Sequence, residues 1–344
     1  MDASGGSSTV GGVSQTDQSR PRRRRRPIRW AAGFLVLIAV AGYFVAQRGS
    51  NGGGGAPYCT ASVNAMGSGK GESGQYYEMS TEQAANATTI AAVGVSKGMP
   101  DRAVTIALAT AMQESALRNL DHGDRDSLGL FQQRPSQGWG TPAQIMDPVY
   151  SAGIFYDRLA EVKGYSRLPL TVAAQKVQLS GFPQAYAKHE PDATVLTTAF
   201  VGGGHLACTG PAPTEPGDPA KVRTELARLL GKSGLQTVGT APAEPAGAGD
   251  GGSGGKAVPE SEVRLVAKRD GGEAAARAGR VLAQWAVANS GGLSIARVSY
   301  APHLWIAGKD GDRWQDRSAA GAKGGNNADP APAVPGEVRI FVRG

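Results

Sequence analysis

The sequence predicts a mainly α domain followed by a small α+β domain, both carried behind a single amino-terminal transmembrane helix. Three observations predict this. Helix start and stop signals recur between residues 80 and 231, an uncharged apolar stretch directly follows an arginine cluster, and one pair of cysteines brackets most of the helical part. The chain has 344 residues, enough for two ordinary domains, yet 50 are Gly and 21 are Pro, so long linkers are expected between the folded parts.

The amino terminus sets the topology. Residues 1–29 hold seven Arg against Asp2 and Asp17, which is +5 of the formal charge of +7, and they read as a disordered basic cytoplasmic tail. The remaining residues are close to neutral, which argues against a nucleic-acid-binding domain. Trp30 to Ala46 follow without a charge, at the lower limit of length for a span of about 30 Å, and Arg29 and Arg48 can extend it by snorkelling. Arginines on the amino side place that end in the cytoplasm and everything after residue 47 outside. The expected location is the cell membrane, single-pass. Ala39-Val40-Ala41 also fits a signal-peptide cleavage site, so secretion after cleavage is the alternative, and both outcomes export the rest of the chain.

Residues 47–75 are rich in Gly and Ser and read as a tether, with ordered sequence beginning near Ser80. Cys59 and Cys208 both lie on the exported side, where an isolated pair is read as a disulfide. Closing a loop of about 150 residues, it would add roughly 4 to 5 kcal/mol in the chain-entropy model. Ser80-Thr81-Glu82-Gln83 has the spacing of a capping box and opens a helix to about residue 97, before Gly98 and Pro100. A second helix is expected from Asp101 to about Leu120. Its Val104, Ile106, Ala107, Leu108, Ala111 and Met112 occupy more than one face, which makes it central. Thr141-Pro142 and Asp147-Pro148 each pair an N-cap with proline at the first helical position. Further helical patterns lie near 170–180 and 191–200, giving a mainly α domain over 76–210.

Asp218-Pro219 opens an amphipathic helix through Val222, Leu226, Leu229 and Leu230 to Gly231, and residues 236–257 are mostly Ala, Pro and Gly, so 211–258 reads as helix and linker. The segment 259–344 reads as a small α+β domain. It offers a strand at 262–267, a helix at 273–289 and strand-like alternation at 293–299 and 337–342, with a disordered loop at 317–335.

The chemistry concentrates in Ala111 to Gly140. Glu114 sits at the carboxyl end of the apolar helix, where desolvation and the negative end of the helix dipole both disfavour its charged form. A carboxyl raised in this way can carry a proton at neutral pH and give it to a departing sugar oxygen. Glu114-Ser115 followed by Gly129-Leu130-Phe131-Gln132 resembles the paired signatures of soluble lytic transglycosylases and goose-type lysozymes. The similarity covers roughly residues 80–200. It extends to the sequence from Met112 to Ser115 and from Asp126 to Pro135, which is similar to transglycosylase-like domains of exported actinobacterial proteins.

The resemblance implies a lysozyme-like fold for residues 76–210 and a peptidoglycan glycosidase that cuts between N-acetylmuramic acid and N-acetylglucosamine. It implies Glu114 as sole acid/base, Ser115 supporting it, and Gly129, Leu130, Phe131 and Gln132 as part of the saccharide-binding wall. The family's third motif, Ala-Tyr-Asn, supplies a tyrosine that contacts the catalytic Glu. Ala185-Tyr186-Ala187 lacks the Asn, and Tyr186 is the candidate for that tyrosine. The expected partners are peptidoglycan glycan strands and the cytoplasmic membrane, with no nucleic acid, cofactor or metal. Two alternatives remain open: a muramidase that uses water, and a non-catalytic wall-binding or structural membrane protein.

Phe131 and Trp139 offer flat faces for pyranose rings, against burial in the fold. Asp121, Asp124 and Asp126 could activate water for a two-carboxylate hydrolase, or pair with Arg125 and Arg134. Asp124-Arg125-Asp126 begins like a calcium loop, but Pro135 stands where its glutamate should be. His122, His189, His205 and His303 show no zinc-protease spacing. The last segment, with His303-Leu304-Trp305, faintly resembles exported domains related to D-Ala-D-Ala carboxypeptidases. Those need a His/Asp/His metal set, and only His303 is available, so a binding or packing role is expected.

Overall fold

A computed structural model describes residues 56–66, 74–180, 183–231, 235–243, 260–267, 272–308, 313–317 and 334–344. The tail at 1–29, the expected span at 30–46, the start of the tether, the linker at 244–259 and most of the 317–335 loop lie outside the described residues. Among the described residues, no helix is long and apolar enough to cross a membrane. Residues 56–344 form one compact unit, about half helical, with two antiparallel sheets and a disulfide.

Helix α1 (Thr81–Ser96) starts where the capping box predicts. The Ser80 hydroxyl accepts from the Gln83 N–H at 3.2 Å, and the Gln83 side chain accepts from the Ser80 N–H at 2.9 Å. Helix α2 (Asp101–Ser115) is buried nearly all round, as its apolar composition requires. It ends five residues before the expected boundary. Ala116 and Leu117 both take positive φ, 53° and 62°, and their N–H groups turn back to the carbonyls of Met112 and Ala111. Left-handed backbone costs about 1 to 2 kcal/mol per non-glycine residue, and α1 offsets it. Gln83 Nε2 donates to the Ala116 carbonyl at 2.8 Å, and Asn86 Nδ2 donates to the Leu117 carbonyl at 2.9 Å. With neither Gly nor Pro after Ser115, the stop comes from this tertiary contact.

Helices α3 (Pro142–Ile145) and α4 (Pro148–Glu161) begin at the two predicted Xaa-Pro caps, and Thr141 closes a capping box with Gln144. Next come α5 (Leu170–Gln178), a 3-10 segment (Pro183–His189), α6 (Glu190–Val201) and α7 (Pro219–Leu230). A three-stranded sheet packs on this group in the order β2 (Tyr76–Ser80), β1 (Tyr58–Ser62), β3 (His205–Cys208). The expected tether is thus corrected, since residues 58–62 form the central strand, with Cys59 and Ala61 fully buried. Cys59 lies directly opposite Cys208, and the two are disulfide-bonded across 149 residues.

The carboxyl-terminal strands form a six-stranded antiparallel sheet. Its order is β4 (Leu235–Ala243), β5 (Glu260–Ala267), β9 (Glu337–Arg343), β6 (Ile295–Tyr300), β7 (His303–Ile306), β8 (Gln315–Asp316). Strand β4 occupies sequence expected to be linker. It lies at the sheet edge, where Pro242 is tolerated because no ladder donor is needed on its outer side. Helix α8 (Gly272–Ala288) packs on this sheet with one side and on α1 with another, and Val281, Leu282, Ala283 and Ala286 are fully excluded from solvent. Gly279 permits close approach to residue 336, since a Cβ there would meet the Gly336 Cα at 2.6 Å. Helix α9 (Ser290–Leu293) completes the unit.

The same region seals the outer edge of β3. Gln284 Oε1 accepts from the Leu206 N–H, and Trp314 Nε1 donates to the Leu206 carbonyl, both at 2.9 Å. The two segments read from the sequence as separate domains therefore share one core within residues 56–344.

Candidate active site

Glu114 occupies the last turn of α2, and three other segments converge there. Tyr186, from the 3-10 segment after α5, donates its hydroxyl to Glu114 Oε1 at 2.6 Å. Its ring is fully buried. Burial pushes the Glu114 carboxyl above its ordinary value, and hydrogen bonds from Tyr186 and then Gln178 pull part of the way back. Burial raises the Tyr186 phenol as well, reinforced by the negative charge of Glu114, so the shared proton stays on the tyrosine. Gln178, the last residue of α5, donates from Nε2 to the Phe131 carbonyl at 2.7 Å. Beside this group, His189 Nε2 meets Gln113 Oε1 at 3.1 Å, and burial lowers the imidazole.

Ser115 points elsewhere. Its buried hydroxyl donates to the Leu130 carbonyl at 2.8 Å and lies 3.1 Å from the Ala111 carbonyl, so it ties the end of α2 to the Gly129–Gln132 turn rather than facing a ligand. Gly129 has φ 74°, and a Cβ there would lie 2.7 Å from the Ile145 carbonyl oxygen, so only glycine fits. Leu130 and Phe131 correct the expectation of a saccharide wall, since both side chains are fully buried and Phe131 stacks on Phe155 at 4.6 Å between centroids. What this turn offers Glu114's surroundings is backbone, the Phe131 carbonyl that orients Gln178. Gln132 is half-buried. Its Nε2 donates to the carbonyls of His122 and Gly129, each at 3.3 Å, which folds the side chain back on its own loop.

Trp139 is covered in the fold. It is 6% exposed, and the Arg158 guanidinium carbon sits 3.5 Å from the ring centroid. In the acidic loop, Asp126 binds Arg134 Nε and the Ser136 N–H, both at 2.8 Å, which holds its carboxyl well below the usual carboxylate range. Asp121 is exposed beside His122, whose hydrogen bond lowers it, and Asp124 is also exposed. Pairing of Asp126 with Arg134 follows the expectation, and none of the three bonds Glu114.

The carboxyl-terminal part contributes no residue to these contacts. His303 lies on β7, paired with Tyr300 on β6 and Asp316 on β8. Among the described residues, no group of three His, Cys, Asp or Glu could hold a metal ion. A cavity of about 460 Å³ opens between the start of α1, the end of β3 and α9, with Glu82 as its one ionisable lining residue among those described. Neither Glu114 nor Tyr186 lines it.

Sequence reading missed Gln178, Gln83 and Asn86. In the sequence Gln83 reads only as a cap residue. Gln175 and Gln178 are spaced to share one face of α5, which was the available signal, but a helix end carries many such polar residues. No protein-family model matches the chain, and no curated protein matches it.

Proposed function

We propose that this protein cleaves the glycan strands of bacterial peptidoglycan, with Glu114 as its single acid/base. The observation that carries the reading is the Tyr186 hydroxyl bonded to a half-buried Glu114 whose carboxyl burial pushes above its ordinary value. It joins the resemblance of Glu114-Ser115 and Gly129-Leu130-Phe131-Gln132 to lytic transglycosylases and goose-type lysozymes, and it gives Tyr186 the contact that the third motif implies.

Protonated Glu114 gives its proton to the bridging glycosidic oxygen as the bond from that oxygen to the anomeric carbon breaks. The resulting carboxylate then takes the proton of the sugar's own 6-hydroxyl while that oxygen bonds the anomeric carbon. The product is a 1,6-anhydro ring, no water is consumed, and Glu114 ends as it began. The Tyr186 and Gln178 donors stabilise the carboxylate between the two steps. Of the acidic-loop carboxylates that could serve a hydrolase instead, Asp126 is already held by Arg134 and the Ser136 N–H. The apolar stretch at 30–46 would keep the enzyme at the membrane with its site outside, facing wall glycan.

The test is the mass of the products. Purified protein incubated with peptidoglycan should release muropeptides lighter by one water than those made by a lysozyme. Products with free reducing ends would instead establish the muramidase.

A further inference from the structure

The register of the three-stranded sheet sorts its side chains onto two faces. Along β1 and β2, Tyr58 lies opposite Ser80, Thr60 opposite Glu78 and Ser62 opposite Tyr76, and β3 adds Ala207 beside Thr60 and His205 beside Ser62. Directly opposite residues share a face, so these eight side chains stand together. None of the eight is buried, whereas Cys59, Ala61, Met79, Leu206 and Cys208 on the other face all are.

Tyr58 and Tyr76 are 45% and 64% exposed, which makes them the two most exposed aromatic side chains among the described residues. Every described tryptophan is buried in the same fold. Tyr76 sits opposite Ser62, four positions along β1 from Tyr58, so the two Cα atoms are about 14 Å apart, with Thr60 and Glu78 side by side between them. That span is longer than a single sugar ring. The charge on the face narrows the choice of ligand. Glu78 is exposed, burial holds the His205 imidazole below its ordinary value, and no Lys or Arg stands among the eight. Nothing there attracts phosphate, an anionic lipid surface or the carboxylates of wall peptides. Tyrosine offers a flat apolar body with a polar tip, and a carboxylate accepts from O–H and N–H donors. An extended, uncharged chain of rings rimmed with such donors has the matching chemistry.

We propose that this sheet face is a second glycan-binding surface, seating a stretch of wall glycan strand across Tyr58 and Tyr76 with Glu78 accepting from its hydroxyl or acetamido N–H groups. It shares no residue with the Glu114 site and rests on the glycan-cleaving reading above for its ligand. A strand held here stays at high effective concentration for the carboxyl, which binding at one site alone does not provide.

The experiment is a tyrosine footprint on the full-length Glu114→Gln protein in detergent micelles, which under that reading leaves the strand uncut. Tyrosines are nitrated with tetranitromethane and the modified positions are mapped by mass spectrometry. Tyr58 and Tyr76 should react in the free protein and be protected by solubilised, peptide-free N-acetylated glycan strands, and monomeric N-acetylglucosamine at the same sugar concentration should protect neither. In Tyr58→Thr/Tyr76→Thr, which removes both rings and keeps strand preference, the Kd for the strands should rise by about 10-fold. Strands that leave both rings reacting at the free rate overturn the proposal, whether or not that variant folds. Protection in phospholipid vesicles without glycan, or protection that rises with protein concentration alone, also overturns it, assigning the face to the membrane or to a second copy. Wild-type protein that cleaves strands which do not protect the two rings loses this surface and keeps the glycosidase; protection by strands that the wild-type protein does not cleave keeps the surface and loses the glycosidase.

Discussion

The Tyr186 hydroxyl donates to Glu114 Oε1 at 2.6 Å, joining residues 72 apart in sequence. The bond has a definite electrostatic sense. Burial favours the protonated carboxyl, whereas a donor favours the carboxylate. A group asked to give a proton and then take one back needs both influences, because an unopposed buried acid would be reluctant to ionise.

Tyr186→Phe removes the donor and keeps the buried ring. Glu114 should then hold its proton to higher pH, so the alkaline limb of the kcat/KM profile moves upward. The maximal rate should fall roughly 10- to 100-fold, the range of one hydrogen bond to a charged group. A pH profile unchanged in position would separate Tyr186 from the titration of Glu114.

Glu114 should also weigh on stability. Its folded value lies above its unfolded one, so the stability that goes with the protonated form is full below the unfolded value and is lost as pH rises through the folded one. Glu114→Gln carries no such charge. The variant should melt above the wild-type protein at alkaline pH, with the gap closing on acidification into the ordinary carboxylate range. A gap independent of pH would mean that the carboxyl is not under strain from burial.

Reduction of the Cys59–Cys208 bridge frees a loop of 149 residues. In the chain-entropy model this costs about 5 kcal/mol. The Cys59→Ser/Cys208→Ser protein should therefore unfold at clearly lower denaturant, and alkylation of the native protein without reductant should label neither thiol.

Gln284 tests the union of the two parts of the chain. Gln284→Leu strands the buried Leu206 N–H that it now satisfies, at a cost of about 1 to 3 kcal/mol. Because residues 56–344 form one compact unit, calorimetry should show a single transition shifted downward. Two separated transitions would mean that the sheet and the helical part unfold independently.

Local signals were legible where the chemistry is local. The Ser80, Thr141, Asp147 and Asp218 caps open their helices as predicted, and the alternation of Val338, Ile340 and Val342 made the strand Glu337–Arg343 visible. The disulfide followed from cysteine count and topology. What stayed hidden depends on partners distant in sequence. The end of α2 at Ser115 is set by Gln83 and Asn86, about thirty residues away, and no residue after Ser115 announces it. Strand β1 is only five residues long in Gly-rich surroundings, and β4 has the Ala, Pro and Gly composition of a linker. In the site, Glu114 and Tyr186 were legible by motif. Phe131 and Gln132 share that motif with Gly129, yet which of them faces the core and which the loop is decided by packing against Phe155 and His122.

The most direct measurement of the central claim is the rate of muropeptide release from peptidoglycan by wild-type and Glu114→Gln proteins of equal folded content. The substitution keeps shape and removes the titrating proton. The account predicts cleavage by the wild-type protein and a loss of at least roughly 100-fold in the variant, the scale of general acid catalysis. A variant that releases muropeptides at the wild-type rate would contradict it.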